Sequence, residues 1–353
     1  MLNNFQNQDR VVVRTVLGPV PASELGTVLI HETLLSVYPG AELAPDIVMD
    51  KSEIFETLKN KLNDFRRSGG KTIVDRSGMF HGRDPWLYQT LSKTTGVHIV
   101  ASTGLGPEKM LSGYFTTPQS HPPTPWPADK FSGLFTKEVL EGMVVPRVER
   151  AGFPGLVTSI ADPNGLTEIE GNLFRGCAQT AIATGVPVSV QFGADAVADL
   201  KVITDEGLQA DRVIIGGLDR ADAVAAKAAF EIAKIGAYAA IDHIGWGSEE
   251  GYVSDAERVQ LIVDLLDAGL GERILISTNA VGVAKGHVSK DIAFNYLFTT
   301  FLPLLRKAGV TEEQITLLLE QNPQRILTTE AQAKHTVAGK ETSWNELFSP
   351  VLF

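Results

Sequence analysis

Short apolar runs and longer amphipathic stretches alternate along this chain, regularly enough to predict an architecture. The runs are "GTVLIHE" (26–32), "KTIVDRS" (71–77), "GVHIVAST" (96–103) and "PGLVTSI" (154–160), then "GVPVSVQ" (185–191), "DRVIIGG" (211–217), "AYAAIDH" (237–243) and "ERILIST" (272–278). They are continuous and β-branched, as parallel strands covered on both faces should be, and they lack the alternation of half-exposed strands. Between them, "EIFETLKNKLNDFRRSG", "FRGCAQTAIATG", "ADAVAAKAAFEIAKIG" and "DAERVQLIVDLLDAGLG" read as helices, and several end in Gly, a normal helix stop. Eight strand–helix units predict a (β/α)8 TIM barrel. A doubly wound open sheet is the alternative, weakened because no G-x-G-x-x-G follows any strand.

Two stretches break the rhythm. Residues 104–135 form a Pro- and Gly-rich segment after the third strand, on the face where barrels place active sites, and loops of that length are commonly functional. Residues 330–353 form a tail ending "SWNELFSPVLF", whose apolar side chains call for a partner surface on the barrel or on a second subunit. The barrel is therefore expected over 1–329.

With 353 residues, 44% of them apolar, the chain can bury a sizeable core. A net charge of −11 argues against nucleic acid, whose phosphates call for a basic patch. Arg66-Arg67 reads as a solvated helix end. The lone Cys177 excludes an internal disulfide, and its helical setting makes it a small buried hydrophobe. No basic, apolar leader opens the chain and no apolar run nears ~20 residues, so a soluble cytoplasmic protein without membrane contact is expected.

Candidate chemistry begins at "VLIHETLL" (28–35), where an apolar strand delivers His31 to its end. A second His two positions on would point the same way, but position 33 is Thr. With "DPNGLTEIE", "ATGVPVSVQ", "DRVIIGGLD", "ERILISTN" and "FLPLLRKAGVTEEQITLLLEQNPQRIL", the chain resembles the phosphotriesterase family of the amidohydrolase superfamily nearly end to end. The resemblance implies two divalent metals at the barrel mouth, held by two His on the first strand and a carboxylated Lys on the fourth. One His on each of the fifth and sixth strands and an Asp on the eighth complete the set. It also implies a homodimer. Matched position by position, His31 is kept, while Thr33, Thr158, Gln191, Gly217 and Asn279 stand at the other five positions. Thr, Gln and Asn oxygens are feeble zinc ligands, so no metal cofactor is expected and the family's metal-activated water does not transfer.

The strand ends would still converge on a cavity. His31, as the group that titrates near neutral pH, is the expected proton-transfer residue, with Asp242 and His243 as further catalytic candidates, one of the pair facing the cavity. Thr33, Thr158, Gln191 and Asn279 would hydrogen-bond a small-molecule substrate. Arg76 would clamp a carboxylate, and Tyr114 and Trp126 would form an apolar lid. His81 and Arg83 are expected farther out, with "GRDP" capping the next helix. No G-x-S-x-G elbow or strand-end Cys offers a nucleophile. Two readings follow: metal-independent acid–base chemistry on an ester or lactone, or as a lyase or isomerase step, and a small-molecule-binding pseudoenzyme.

Overall fold

A computed structural model describes residues 11–111, 113–116, 125–145, 149–247 and 251–330. Its parallel strands form a (β/α)8 barrel: Val28–Val37, Thr72–Asp75, a third strand interrupted into His98–Val100 and Ser102–Gly104, then Leu156–Ile160, Val188–Gln191, Val213–Gly216, Tyr238–Ile241 and Ile274–Ile276. Hydrogen bonding runs unbroken from the eighth strand back to Ser102–Gly104, and separately across a four-stranded group in which the first strand lies between Thr72–Asp75 and Val281–Lys285.

Across the seam between first and eighth strands, His31 N donates to Ser277 Oγ and Thr33 N to Ala280 O, and the Glu32 side chain adds a further set of bonds. Glu32 Oε1 accepts from Ser277 Oγ (2.8 Å), Thr278 N (3.0 Å) and Thr278 Oγ1 (2.8 Å), and Oε2 accepts from the Ala280 amide. Burial pushes this carboxyl up and the four donors pull it back, leaving it at about 7. Because every partner is a donor, Glu32→Gln should destabilise the fold by about 1–3 kcal/mol although it removes no obligatory charge, since an amide NH2 would face N–H groups. Urea unfolding checks this, and an unchanged midpoint would show the seam to be held otherwise.

The lower barrel is filled by Val28, Ile30, Val74, Ile214, Ala240 and Leu275. A hairpin of Val11–Thr15 and Gly18–Pro21, invisible in the sequence pattern, closes that end, inserting Val13 into the same cluster. An apolar plug below forces any cavity to the strands' C-terminal ends.

Local signals place the helices. Asp50 caps Lys51–Arg67 by accepting from Ser52 N and Glu53 N, and Thr167 and Ser254 make capping boxes for Glu168–Thr184 and Asp255–Asp267. Two expectations need correction. The segment 221–236 is two helices, Ala221–Ala225 and Ala228–Ile235, parted at Lys227, whose φ is 54°. The stretch 104–135 is not all loop, because the helix Ala128–Glu141 starts inside it. Its Phe131 and Phe135 are fully buried in the core cluster that also holds Phe174 and Cys177, and that packing outweighs the weak pattern around Gly133. Residues 117–124 of the loop and 331–353 of the tail lie outside the described residues; Thr329–Glu330 pairs antiparallel with Val11–Thr15. Among the described residues, no helix is long and apolar enough to cross a membrane.

Candidate active site

The register of the first strand shifts between Leu29 and Glu32, the mark of a β-bulge. Bulges beside active sites re-aim side chains, and here Ile30 packs in the inner core while His31 reaches across the barrel. Asp242 Oδ2 accepts from His31 Nδ1 at 2.6 Å, and His31 Nε2 accepts from Ser189 Oγ at 2.7 Å. Burial first, and then the neighbouring Arg76 cation, lower His31 to about 4. The imidazole is thus neutral, fully buried and bonded at both nitrogens. The expectation that His31 exchanges protons with a ligand is corrected: it lies beneath the cavity and orients Asp242.

Asp242 is the centre of a buried ionic cluster. Its Oδ1 accepts from Gly217 N at 2.7 Å and lies 3.1 Å from His243 Nδ1. Burial alone would raise this carboxyl, but the His243 and His31 imidazoles hold it well below the usual carboxylate range. Asp219 Oδ1 is 3.0 Å from the same His243 nitrogen, and Asp219 Oδ2 accepts from Arg258 Nε at 2.7 Å. Burial would lower His243, yet the Asp242 and Asp219 carboxylates outweigh it and raise the imidazole to about 9. His243 is therefore a cation at neutral pH. Tyr252 stacks on it at 4.1 Å, ring face to ring face, which favours positive charge, and Trp246 lies perpendicular to it at 5.0 Å. The His243 Nε2 turns away from the carboxylates toward the Asn279 side-chain amide, 3.0 Å from Nδ2; against the charged ring, whose Nε2 donates, the amide turns its oxygen to accept. Asn279 sits at φ 47°, a left-handed conformation that Asn tolerates better than most residues.

Arg76 occupies the centre of the floor. Its Nη2 donates to Gln191 Oε1 at 2.9 Å, and Nη1 lies 4.0 Å from Asp242 Oδ2 without a hydrogen bond. Gly216 makes room for it. A Cβ there would stand 2.8 Å from Asp242 Oδ2 and 3.0 Å from Arg76 Nη1, so a larger residue would drive the pair apart.

This floor does not suit two divalent ions. His31 has no free nitrogen, Thr33, Thr158, Gln191 and Asn279 offer only neutral oxygens, and a guanidinium already supplies positive charge among them. Asp219, Asp242 and His243 do bring ligand-type atoms within 4.8 Å of one another. What those atoms surround is the His243 Nδ1 proton, with Arg258 bonded to Asp219 from outside.

A cavity of about 410 Å3 opens above, lined by Thr33, Arg76, Gln191, His243 and Asn279 among others. Thr158 lies outside its lining, buried beside Gly78 and Gly104 with an unpartnered hydroxyl. Tyr114 and Trp126 do not cover this cavity. They line a neighbouring, larger and mostly apolar groove of about 760 Å3, where Trp126 packs edge-on to Tyr114 at 5.5 Å. The lid reading is corrected to a groove beside the mouth.

The residue that sequence reasoning passed over is His81, in the wall shared by cavity and groove. The loop after the second strand folds back because Val37 N donates to His81 O at 2.9 Å. Gly82 permits this contact, since a Cβ there would come within 2.6 Å of Leu35 O. Burial lowers the His81 imidazole, so it is neutral, and its Nε2 has no hydrogen-bond partner. Asp84 does cap the next helix as expected, through Leu87 N, and Arg83 pairs with Glu138 at 2.7 Å. The adjacent "HG" was the available signal.

The phosphotriesterase family model matches residues 11–327. Aryldialkylphosphatase of Saccharolobus solfataricus is 26% identical over 321 residues, covering 88% of this chain and 97% of its own. N-acetyltaurine hydrolase of Danio rerio is 25% identical over 357 residues, with 90% and 97% covered. Among solved structures, a variant of the organophosphorus hydrolase of Deinococcus radiodurans superposes with a TM-score of 0.77 at 25% identity, over 89% of this chain and 97% of that one.

Proposed function

The chain belongs to the phosphotriesterase family, and within it we propose an enzyme that hydrolyses a small organic ester or lactone by acid–base chemistry without a metal. The observation that carries this reading is a pair of imidazoles on one cavity with opposite protonation: His243, raised to about 9, and His81, lowered and neutral. Environments that push two titratable groups apart are what acid and base assignments look like.

A water admitted to the buried, unpartnered His81 Nε2 gives it a proton as the water oxygen attacks the carbonyl carbon. The bond to the leaving oxygen breaks as His243 Nε2–H delivers a proton to it. Asn279 and Thr33 supply neutral hydrogen bonds along the same wall. The hydrolase relatives support a bond-cleaving reaction with water, and the poor donor set supports doing it without metal.

Hydrolysis of a panel of esters and lactones before and after exhaustive chelation tests the reading. Turnover should survive chelation. Turnover that vanishes and returns with zinc would overturn the metal-free mechanism, and ligand binding with no turnover by any substrate would make the barrel a binding protein.

A further inference from the structure

Arg76 is buried, with its side chain 5% exposed, yet it has no counter-ion at hydrogen-bond distance. Its one hydrogen-bond acceptor is the neutral Gln191 amide, and Nη1 has none. Among the described residues, Asp242 is the only carboxylate within 4.0 Å. Both Asp242 oxygens are already committed, Oδ2 to His31 and Oδ1 to Gly217 N and His243. The other carboxylates close in sequence are committed as well. Asp75 accepts from Leu34 N, Tyr88 Oη and Ser77, and Glu32 from the eighth-strand seam. A buried cation without a paired anion is costly, and proteins normally supply the partner. Arg76 lines a cavity together with Thr33 and Asn279, which can hydrogen-bond an oxyanion, while Nη1 itself is buried against Gly216 and Asp242.

We propose that Arg76 is the anion-binding residue of the barrel mouth, and that the molecule this protein acts on is a small organic acid carrying a carboxylate, sulfonate or phosphonate group. The acid group supplies a counter-ion, forming charge-assisted hydrogen bonds to the cavity-lining edge of the guanidinium, with the Thr33 hydroxyl and the Asn279 amide completing its shell. A neighbouring basin lined by Lys109 and Arg220, each paired with a carboxylate (Asp162 and Asp222), joins the mouth through Gln191 and Tyr252. This inference rests on the catalytic reading only for its location, because binding requires no turnover.

Calorimetric titration of the full chain with benzoate, phenylphosphonate and benzenesulfonate, against the neutral benzamide and benzyl alcohol, tests it. At least one anion should bind while both neutral analogues bind about 10- to 100-fold more weakly. Arg76→Met should lose that preference, and Arg76→Lys should keep part of it because the charge stays while the planar fork goes. Arg76→Met also removes the Gln191 hydrogen bond and the 4.0 Å approach to Asp242, so affinity is compared on protein shown to be folded; should it fail to fold, Arg76→Lys and the neutral-analogue comparison still decide. Equal affinity for benzoate and benzamide, or anion affinity unchanged in Arg76→Met, overturns the inference. So does turnover of neutral esters in which Arg76→Met lowers kcat and leaves KM alone, which would make the guanidinium a transition-state group. Anion binding without turnover would sink the catalytic reading alone, and turnover without anion preference would sink this one alone.

Discussion

Replacing His243 with Asn should lower turnover by about 10²–10⁴, the usual range for a general acid or base, and remove a fall in rate centred near pH 9. The imidazole is held in its charged form by Asp242 and Asp219 against the cost of burial, up to about 9. A proton donor must be protonated to act, so rate should be full below that pH and fall above it. The opposite limb belongs to His81, whose lowered, neutral ring accepts the proton; the rate should fall on the acid side as this ring becomes charged, and His81→Gln should flatten that limb. Stability gives an independent readout of the same charge. His243 is raised above its unfolded value near ~6.5, so its contribution is complete below that pH and is lost as pH rises through about 9. The stability gap between parent and His243→Asn should therefore narrow over that window. A variant that loses rate but retains the alkaline break would assign the proton to another group. His31→Asn is the contrasting control: it breaks the bonds to Asp242 and Ser189 and should lower stability, yet leave the break in place.

Rebuilding the family's ligand set should not recruit metal while Arg76 stays. The variant Thr33→His, Thr158→Lys, Gln191→His, Gly217→His and Asn279→Asp restores the five replaced positions beside His31. By ligand type alone the set would be sufficient, but the floor it would occupy already carries a cation. A guanidinium lies on the floor, 4.0 Å from Asp242. A dication held about 4 Å from that guanidinium, at an effective dielectric of about 20, would be repelled by roughly 8 kcal/mol, a large fraction of ordinary metal-binding energies. Position 217 adds a second obstacle, because its φ is 81°, a left-handed conformation in which a His side chain is strained. Adding Arg76→Val to the five substitutions should allow two ions to bind, read by elemental analysis after dialysis. Stoichiometric metal in the five-fold variant with Arg76 intact would show the guanidinium to be harmless.

Much of this was legible in the residue order. The apolar runs and amphipathic stretches determine a barrel because a strand covered on both faces must be continuously apolar, and each run here is. The caps at Asp50, Thr167 and Ser254 are local, since one side chain satisfies the amides two or three residues on. The replacement of five of the family's six ligand positions was equally plain, because ligand type is a property of a side chain wherever it sits. What the order of residues could not supply was which groups meet. His31 looked like the proton carrier because imidazole titrates near neutrality, but its protonation is decided by burial and by Arg76, Asp242 and Ser189, drawn from three other strand ends. His81 looked distant because its loop is short of pattern, and only the Val37–His81 backbone bond and the bare Gly82 carry it over the mouth. Asp219 and Arg258, 39 residues apart, set the charge of His243 without any local signature. Periodicity is written along the chain and survives reading it in one dimension. A protonation state depends on desolvation and on charges a few ångströms away, and those distances exist only once the barrel has closed.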